Sequence, residues 1–130
     1  MKILVIDDDP AITELLTILL AQTSSEVLTV NSGKEGVDIV KQEAPDVIIL
    51  DLMMPEMSGL EVCARIREFS TAPIIILSAL DNPGLVVRSL DSGADDYLVK
   101  PVPSGILIAH INNLVRRANV NHPIHLVVNS

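Results

Sequence analysis

Residues 46–51 read DVIILD, four aliphatic side chains held between Asp46 and Asp51. Such a run is too short to be a helix and has no polar face. A strand that is apolar on both sides must be covered on both sides, the pattern of a parallel sheet between layers of helices. Four other segments share this character: Lys2–Ile6 (KILVI), Glu26–Val30 (EVLTV), Ile74–Leu77 (IIIL) and Tyr97–Val99 (YLV), with Asp46–Leu50 as the third strand in order. Glu26–Val30 is the weakest of the set, because Thr29 interrupts it.

Helical periodicity fills the gaps. Ile12, Leu15, Leu16, Leu19 and Leu20 follow the i, i+3, i+4, i+7, i+8 spacing of one buried face, after Asp9 as cap and Pro10 at the first position. Leu107, Ile111, Leu114, Val115 and Ala118 repeat that stripe near the end of the chain. Residues 34–43 and 59–69 carry weaker helical patterns, and Pro83–Asp91 forms a short helix with Asn82 as its cap. Strand and helix thus alternate five times, which predicts a doubly wound α/β domain over residues 1–118. Residues 119–130 (NVNHPIHLVVNS) break the rhythm and read as a linker or C-terminal tail, of the kind that leads to a further domain.

Composition agrees with a single compact domain. The 130 residues are 48% apolar, enough for an ordinary core, and carry a formal charge of −8. That acidity repels phosphodiester backbones and argues against nucleic-acid contact by this stretch of chain. Arg116 and Arg117 suit a helix C-terminus better than a basic patch. No run approaches the roughly 18 apolar residues of a membrane span. The N-terminal apolar stretch is cut short by Asp7, Asp8 and Asp9, well before the length of about 7–15 that an export signal needs. Cys63 is the only cysteine, which excludes an internal disulfide and suits a reducing cytoplasm; its neighbours Leu60 and Ile66 place it in a helix core.

The polar residues that matter stand at strand ends. Asp7, Asp8 and Asp9 follow the first strand, Asp51 the third, Ser78 the fourth and Lys100 the fifth. Ligands of open parallel sheets bind beyond the carboxyl ends of the strands, where strand order reverses. Several carboxylates, a hydroxyl and an ammonium should therefore meet in one pocket. Two carboxylates about 4 Å apart repel by roughly 4 kcal/mol at an effective dielectric near 20. A hard divalent cation on oxygen ligands, Mg²⁺ with Mn²⁺ able to substitute, relieves that repulsion. A carboxylate so placed can attack a phosphoryl group, with the cation and Lys100 neutralising charge on the transferred oxygens.

At this point the chain resembles the receiver domain of bacterial two-component response regulators. The pieces that carry the likeness are ILVIDDDP, DVIILDLMMPEMSG, PIIILSA and GADDYLVKP, in this order between Lys2 and about Arg117. The resemblance implies a flavodoxin-like fold with strand order 2-1-3-4-5 and Asp51 as phosphoacceptor. It places Mg²⁺ on Asp8, Asp51 and the backbone carbonyl of Met53, with Asp7 assisting through water. Ser78 and Lys100 would grip the phosphoryl oxygens, Tyr97 would change rotamer with Ser78, and the Lys100–Pro101 bond would be cis. A sensor histidine kinase would be the donor. The likeness is greatest to the class with a winged-helix DNA-binding effector, which implies an output through transcription and a phosphorylation-dependent homodimer.

Two departures stand out. Met53 and Leu80, two residues beyond Asp51 and Ser78, are apolar where relatives commonly steer water, so slow self-dephosphorylation is expected. Val86, Ile106 and His110 replace a base, an acid and an arginine on the face made by the fourth helix, fifth strand and fifth helix, a candidate interface. Ile106 lies off the apolar stripe and should be exposed. Two other readings compete. Asp7 and Asp9 have the D-x-D spacing of an aspartate-dependent phosphatase, with Asp7 as nucleophile, but that leaves Asp51, Ser78 and Lys100 unexplained. A degenerate receiver serving only as a binding module would not need Asp8, Asp51 and Lys100 together.

Overall fold

A computed structural model describes residues 1–120. The elements run β1 (Lys2–Ile6), α1 (Pro10–Leu20), β2 (Glu26–Val30), α2 (Gly33–Glu43), β3 (Val47–Leu50), α3 (Gly59–Arg67), β4 (Ile74–Ser78), α4 (Pro83–Asp91), β5 (Asp96–Val99) and α5 (Ser104–Val120), with a 3₁₀ turn at Ala21–Thr23. All strands are parallel, in the order β2-β1-β3-β4-β5, so the order reverses between β1 and β3.

Alternation along each strand divides the core into two layers. Leu4, Ile6, Ile48, Leu50, Ile74 and Ile76 face one side and pack with Val37, Val40, Val62, Cys63 and Ile66 of α2 and α3. Ile3, Val5, Val47, Ile49, Ile75 and Leu77 face the other and pack with Leu16, Leu20, Leu107, Ile111 and Leu114 of α1 and α5. Cys63 is fully buried, as expected of a packing residue. The expectation of strands covered on both faces holds for β1, β3 and β4. At the sheet edges β2 is buried only at Val30, and β5 is half-buried or exposed throughout, because each has a neighbour on one side alone.

Local sequence fixes the helix starts. The Asp9 carboxylate accepts from the Ala11 amide, with Pro10 next in line. Ser32 accepts from the Glu35 amide, Ser58 from Glu61, and Asn82 from Gly84 and Leu85. Each such cap contributes about 1 kcal/mol. Two helix faces differ from expectation. In α1, Thr13, Leu16 and Leu20 are buried while Leu15 is 50% exposed. Thr13 can turn inward because its hydroxyl donates to the Pro10 carbonyl and accepts from the Asn31 amide. In α5, every residue from Arg116 to Val120 is exposed, Ala118 among them, although the helix continues through Asn119 and Val120. The rest of the segment expected as a tail, 121–130, lies outside the described residues.

At the amino ends of the strands, Arg67 joins three elements. Its guanidinium donates to the carbonyls of Gly93 (2.9 Å), Ala72 (2.7 Å) and Ser70 (3.2 Å) and to the Asp95 carboxylate (2.9 Å). Asp95 also accepts from the Ile74 amide, which ties the start of β4 to the turn before β5. Gly93 has φ +112°, a conformation that a side chain would resist.

Candidate functional site

The carboxyl ends of β1 and β3 lie side by side, and the chain puts its acids there. The Asp51 amide donates to the Ile6 carbonyl (2.9 Å), which sets the residue after β3 beside the residue after β1. Asp7 is 4% exposed, and Asp8 beside it is open to solvent. Carboxylate oxygens of Asp7, Asp8 and Asp51 lie within 4.8 Å of one another. Lys100, after β5, reaches across the end of β4 to place its Nζ 3.2 Å from Asp7 Oδ2 and 3.5 Å from Asp51 Oδ1. The structure thus brings together four residues separated by up to 93 positions in the chain.

The electrostatics are unbalanced in favour of a cation. The Asp51 carboxyl titrates above its ordinary range, first because it is buried and next because the Asp7 charge is close; Lys100 opposes the shift and Asp8 adds to it. One ammonium serves two carboxylates, and Asp8 makes no ion pair among the described residues. An all-oxygen donor set with one unpaired, solvent-facing carboxylate fits a hard divalent ion such as Mg²⁺ or Mn²⁺.

Of the other expected site residues, Ser78 and Met53 line the same cleft of about 400 Å³, together with Leu80. Ser78 is fully buried, and its hydroxyl accepts from the Leu80 amide at 3.1 Å. The Tyr97 hydroxyl donates to the Leu80 carbonyl at 2.6 Å, so Leu80 links both residues through its backbone. Met53 is 63% exposed and Leu80 37% exposed, and both line the cleft. The Lys100–Pro101 peptide bond is cis. Val86, Ile106 and His110 lie away from the cleft: Val86 is half-buried, Ile106 is 50% exposed as its place off the stripe indicates, and His110 Nδ1 lies 2.6 Å from Asp96 Oδ2.

Some supporting residues were not apparent from sequence. Asn31 donates to the Asp7 carbonyl at 2.9 Å, and the Asp9 amide donates to Asp7 Oδ1 at 2.9 Å. Both fix the buried acid through the backbone next to it, and an asparagine after an edge strand carries no signal of that role.

Comparison with known proteins points the same way. AfsQ1 of Streptomyces coelicolor, a transcriptional regulatory protein, is 44% identical over 116 residues, 89% of this chain and 52% of its own length. MtrA of Mycolicibacterium smegmatis, a DNA-binding response regulator, is 38% identical over 97% of this chain and 55% of its own. The chain therefore spans about half the length of these curated relatives. Among solved structures, a response regulator receiver domain protein from Clostridium thermocellum superposes with a TM-score of 0.88 at 34% identity, over 93% of this chain and 98% of the other. The BeF3-activated receiver domain of Klebsiella pneumoniae RstA gives 0.85 at 30% identity, over 89% and 99%. The expected flavodoxin-like fold is the one observed. Residues 3–112 match the response regulator receiver domain, and with the acidic cluster at the β1–β3 crevice this places the chain in that family.

Proposed function

We propose that the chain is a phosphorylation-controlled switch in which Asp51 accepts a phosphoryl group from a sensor histidine kinase. The observation that carries this reading is the meeting of Asp51 with Asp7, Asp8 and Lys100 in one cleft. A carboxylate oxygen of Asp51 attacks phosphorus, the P–N bond to the donor imidazole breaks, and the electron pair leaves on that nitrogen. Asp8, Asp51 and the Met53 carbonyl, with Asp7 assisting through water, would hold Mg²⁺, which would supply charge neutralisation at the transferred oxygens. Lys100 transfers from the carboxylates to a phosphoryl oxygen, and the Ser78 hydroxyl gives up the Leu80 amide to do the same. Tyr97 then follows, since both residues engage Leu80. The change reaches the face of α4, β5 and α5, where Val86, Ile106 and His110 form the interface of a phosphorylation-dependent homodimer.

The chain's chemistry ends with its own phosphorylation and slow dephosphorylation, and its product is a signalling state. Residues 1–118 are the receiver, and 119–130 lead toward an effector that acts on transcription, the role that the names of AfsQ1 and MtrA give those proteins; the switch operates in the cytoplasm. No described helix is long and apolar enough to cross a membrane. The phosphatase alternative gains little from the geometry: with Asp7 as nucleophile, the convergence of Asp51, Ser78 and Lys100 on the same cleft has no role.

Incubation with acetyl phosphate and Mg²⁺, followed by intact-mass spectrometry, tests the reading. One phosphoryl group is expected on the wild type, localised to Asp51 and absent from Asp51→Asn. Modification of Asp51→Asn to the wild-type extent overturns it.

A further inference from the structure

The peptide that follows β3 is held from two directions. On one side the Asp51 amide is bonded to Ile6 of β1. On the other, Gly59, the first residue of α3, donates its amide to the Leu52 carbonyl at 2.8 Å. The helix sits so close that a β-carbon at position 59 would stand 2.4 Å from the Asp51 carbonyl oxygen and 2.8 Å from Leu52 Cα. These are backbone atoms with no rotamer to retreat into. Gly36 in α2 offers the contrast. A β-carbon there would meet Ile6 Cδ1 at 2.5 Å, Cγ1 at 2.9 Å and Cγ2 at 3.2 Å, all side-chain atoms of a core residue. One glycine borders the backbone of the reacting residue, and the other borders the side chain of Ile6 and no backbone atom of the site.

We infer that Gly59 is a positioning residue for phosphoryl acceptance. The missing side chain lets α3 seat on the Asp51–Leu52 peptide and sets how far the Asp51 carboxylate and the Met53 carbonyl stand from Asp7 and Asp8. This rests on the phosphoacceptor reading above. The effect matters because Mg²⁺ requires near-octahedral oxygens at about 2.0–2.1 Å, and it tolerates a displaced ligand poorly. A methyl group at 59 must push either the helix or the strand end by several tenths of an ångström. Either movement alters the spacing of the oxygen ligands, whereas a methyl group at 36 displaces hydrocarbon.

The experiment compares Gly59→Ala with Gly36→Ala in the full 130-residue chain. Mg²⁺ affinity is read by titration calorimetry and stability by urea denaturation. Gly59→Ala is expected to weaken Mg²⁺ binding by about tenfold or more, while Gly36→Ala loses stability and keeps its affinity within about twofold. Wild-type affinity in Gly59→Ala overturns the inference, as does an equal loss in both variants. If Gly59→Ala does not fold, the wild type still decides: in a ¹⁵N-resolved Mg²⁺ titration, the Gly59 amide should shift in step with Met54 while Gly36 stays still. A Gly59 amide that does not respond overturns the inference. Wild-type protein that binds no Mg²⁺ sinks the phosphoacceptor reading itself, which separates that failure from this one.

Discussion

Lys100 Nζ lies nearer to Asp7 (3.2 Å) than to Asp51 (3.5 Å), so the ammonium leans away from the proposed phosphoacceptor. Its position is that of a counterion in waiting, close to the cleft and shared between two charges. Lys100→Ala should lower the rate of phosphorylation by acetyl phosphate on the order of a hundredfold, the usual cost of removing one charge-stabilising donor. Mg²⁺ binding at mildly alkaline pH should persist in that variant, since the three carboxylates remain. Loss of Mg²⁺ binding together with phosphorylation would mean that Lys100 shapes the site and does not act on the transferred group.

Asp51 gives a signed pH dependence. Its carboxyl is raised by burial and then by Asp7, so in metal-free protein the folded chain holds a proton that the unfolded chain releases near 3.8. Between that value and the raised folded value, stability falls as pH increases. Asp51→Asn removes this contribution and should stabilise the metal-free protein at neutral pH by about 1 kcal/mol or more. The difference between wild-type and Asp51→Asn urea midpoints, followed by circular dichroism from acid to neutral pH, should widen with pH. A constant difference across that range contradicts the assignment.

Met53 and Leu80 both line the cleft, and neither side chain offers a strong hydrogen-bonding group to orient a water molecule. Phosphorylated protein should therefore lose its phosphoryl group over minutes or longer at neutral pH. Replacing Met53 with Asn and Leu80 with Glu together should shorten that lifetime by about tenfold, within the range that positioned polar groups contribute to proton transfer. Phosphate release within seconds from the unaltered chain would rule out the water-exclusion argument.

On the opposite edge, Ile106 is half exposed beside the His110–Asp96 pair, and Val87 and Leu90 of α4 are exposed as well. These exposed apolar side chains are what the proposed dimer interface would cover. Ile106→Glu should weaken self-association of the phosphorylated or beryllofluoride-treated protein by at least about tenfold, as sedimentation velocity would show. Unchanged association would remove this face from the interface.

Much of this was legible in the chain. DVIILD and KILVI mark central strands because parallel strands must be apolar on both faces, and the acids after them mark the crevice by position alone. The edges were harder to read. Tyr97–Val99 is as aliphatic as a central strand, yet β5 begins at Asp96 and is half-open, because neighbours and not composition decide burial. Leu15 fits a helical stripe but is half exposed, because the buried face of α1 is centred on Thr13, Leu16 and Leu20, the Thr13 hydroxyl being satisfied locally and by Asn31. In the site, charged side chains announce themselves at strand ends. Asn31 and Gly59 do not, since one acts on a backbone carbonyl and the other through an atom it lacks.

Arg67 bears on how the chain could be cut or extended. The stretch between α3 and β4 lies at the surface, where a nick or an inserted peptide is commonly tolerated. Here that stretch supplies two of the guanidinium's four acceptors, Ser70 and Ala72, while the other two anchor the turn before β5. Splitting the polypeptide there would loosen the amino ends of β4 and β5 at once, two of the strands whose far ends carry Ser78 and Lys100 to the acidic cleft. A split-protein reporter or a circular permutant of this domain would need its new ends elsewhere, although this loop looks available by exposure alone.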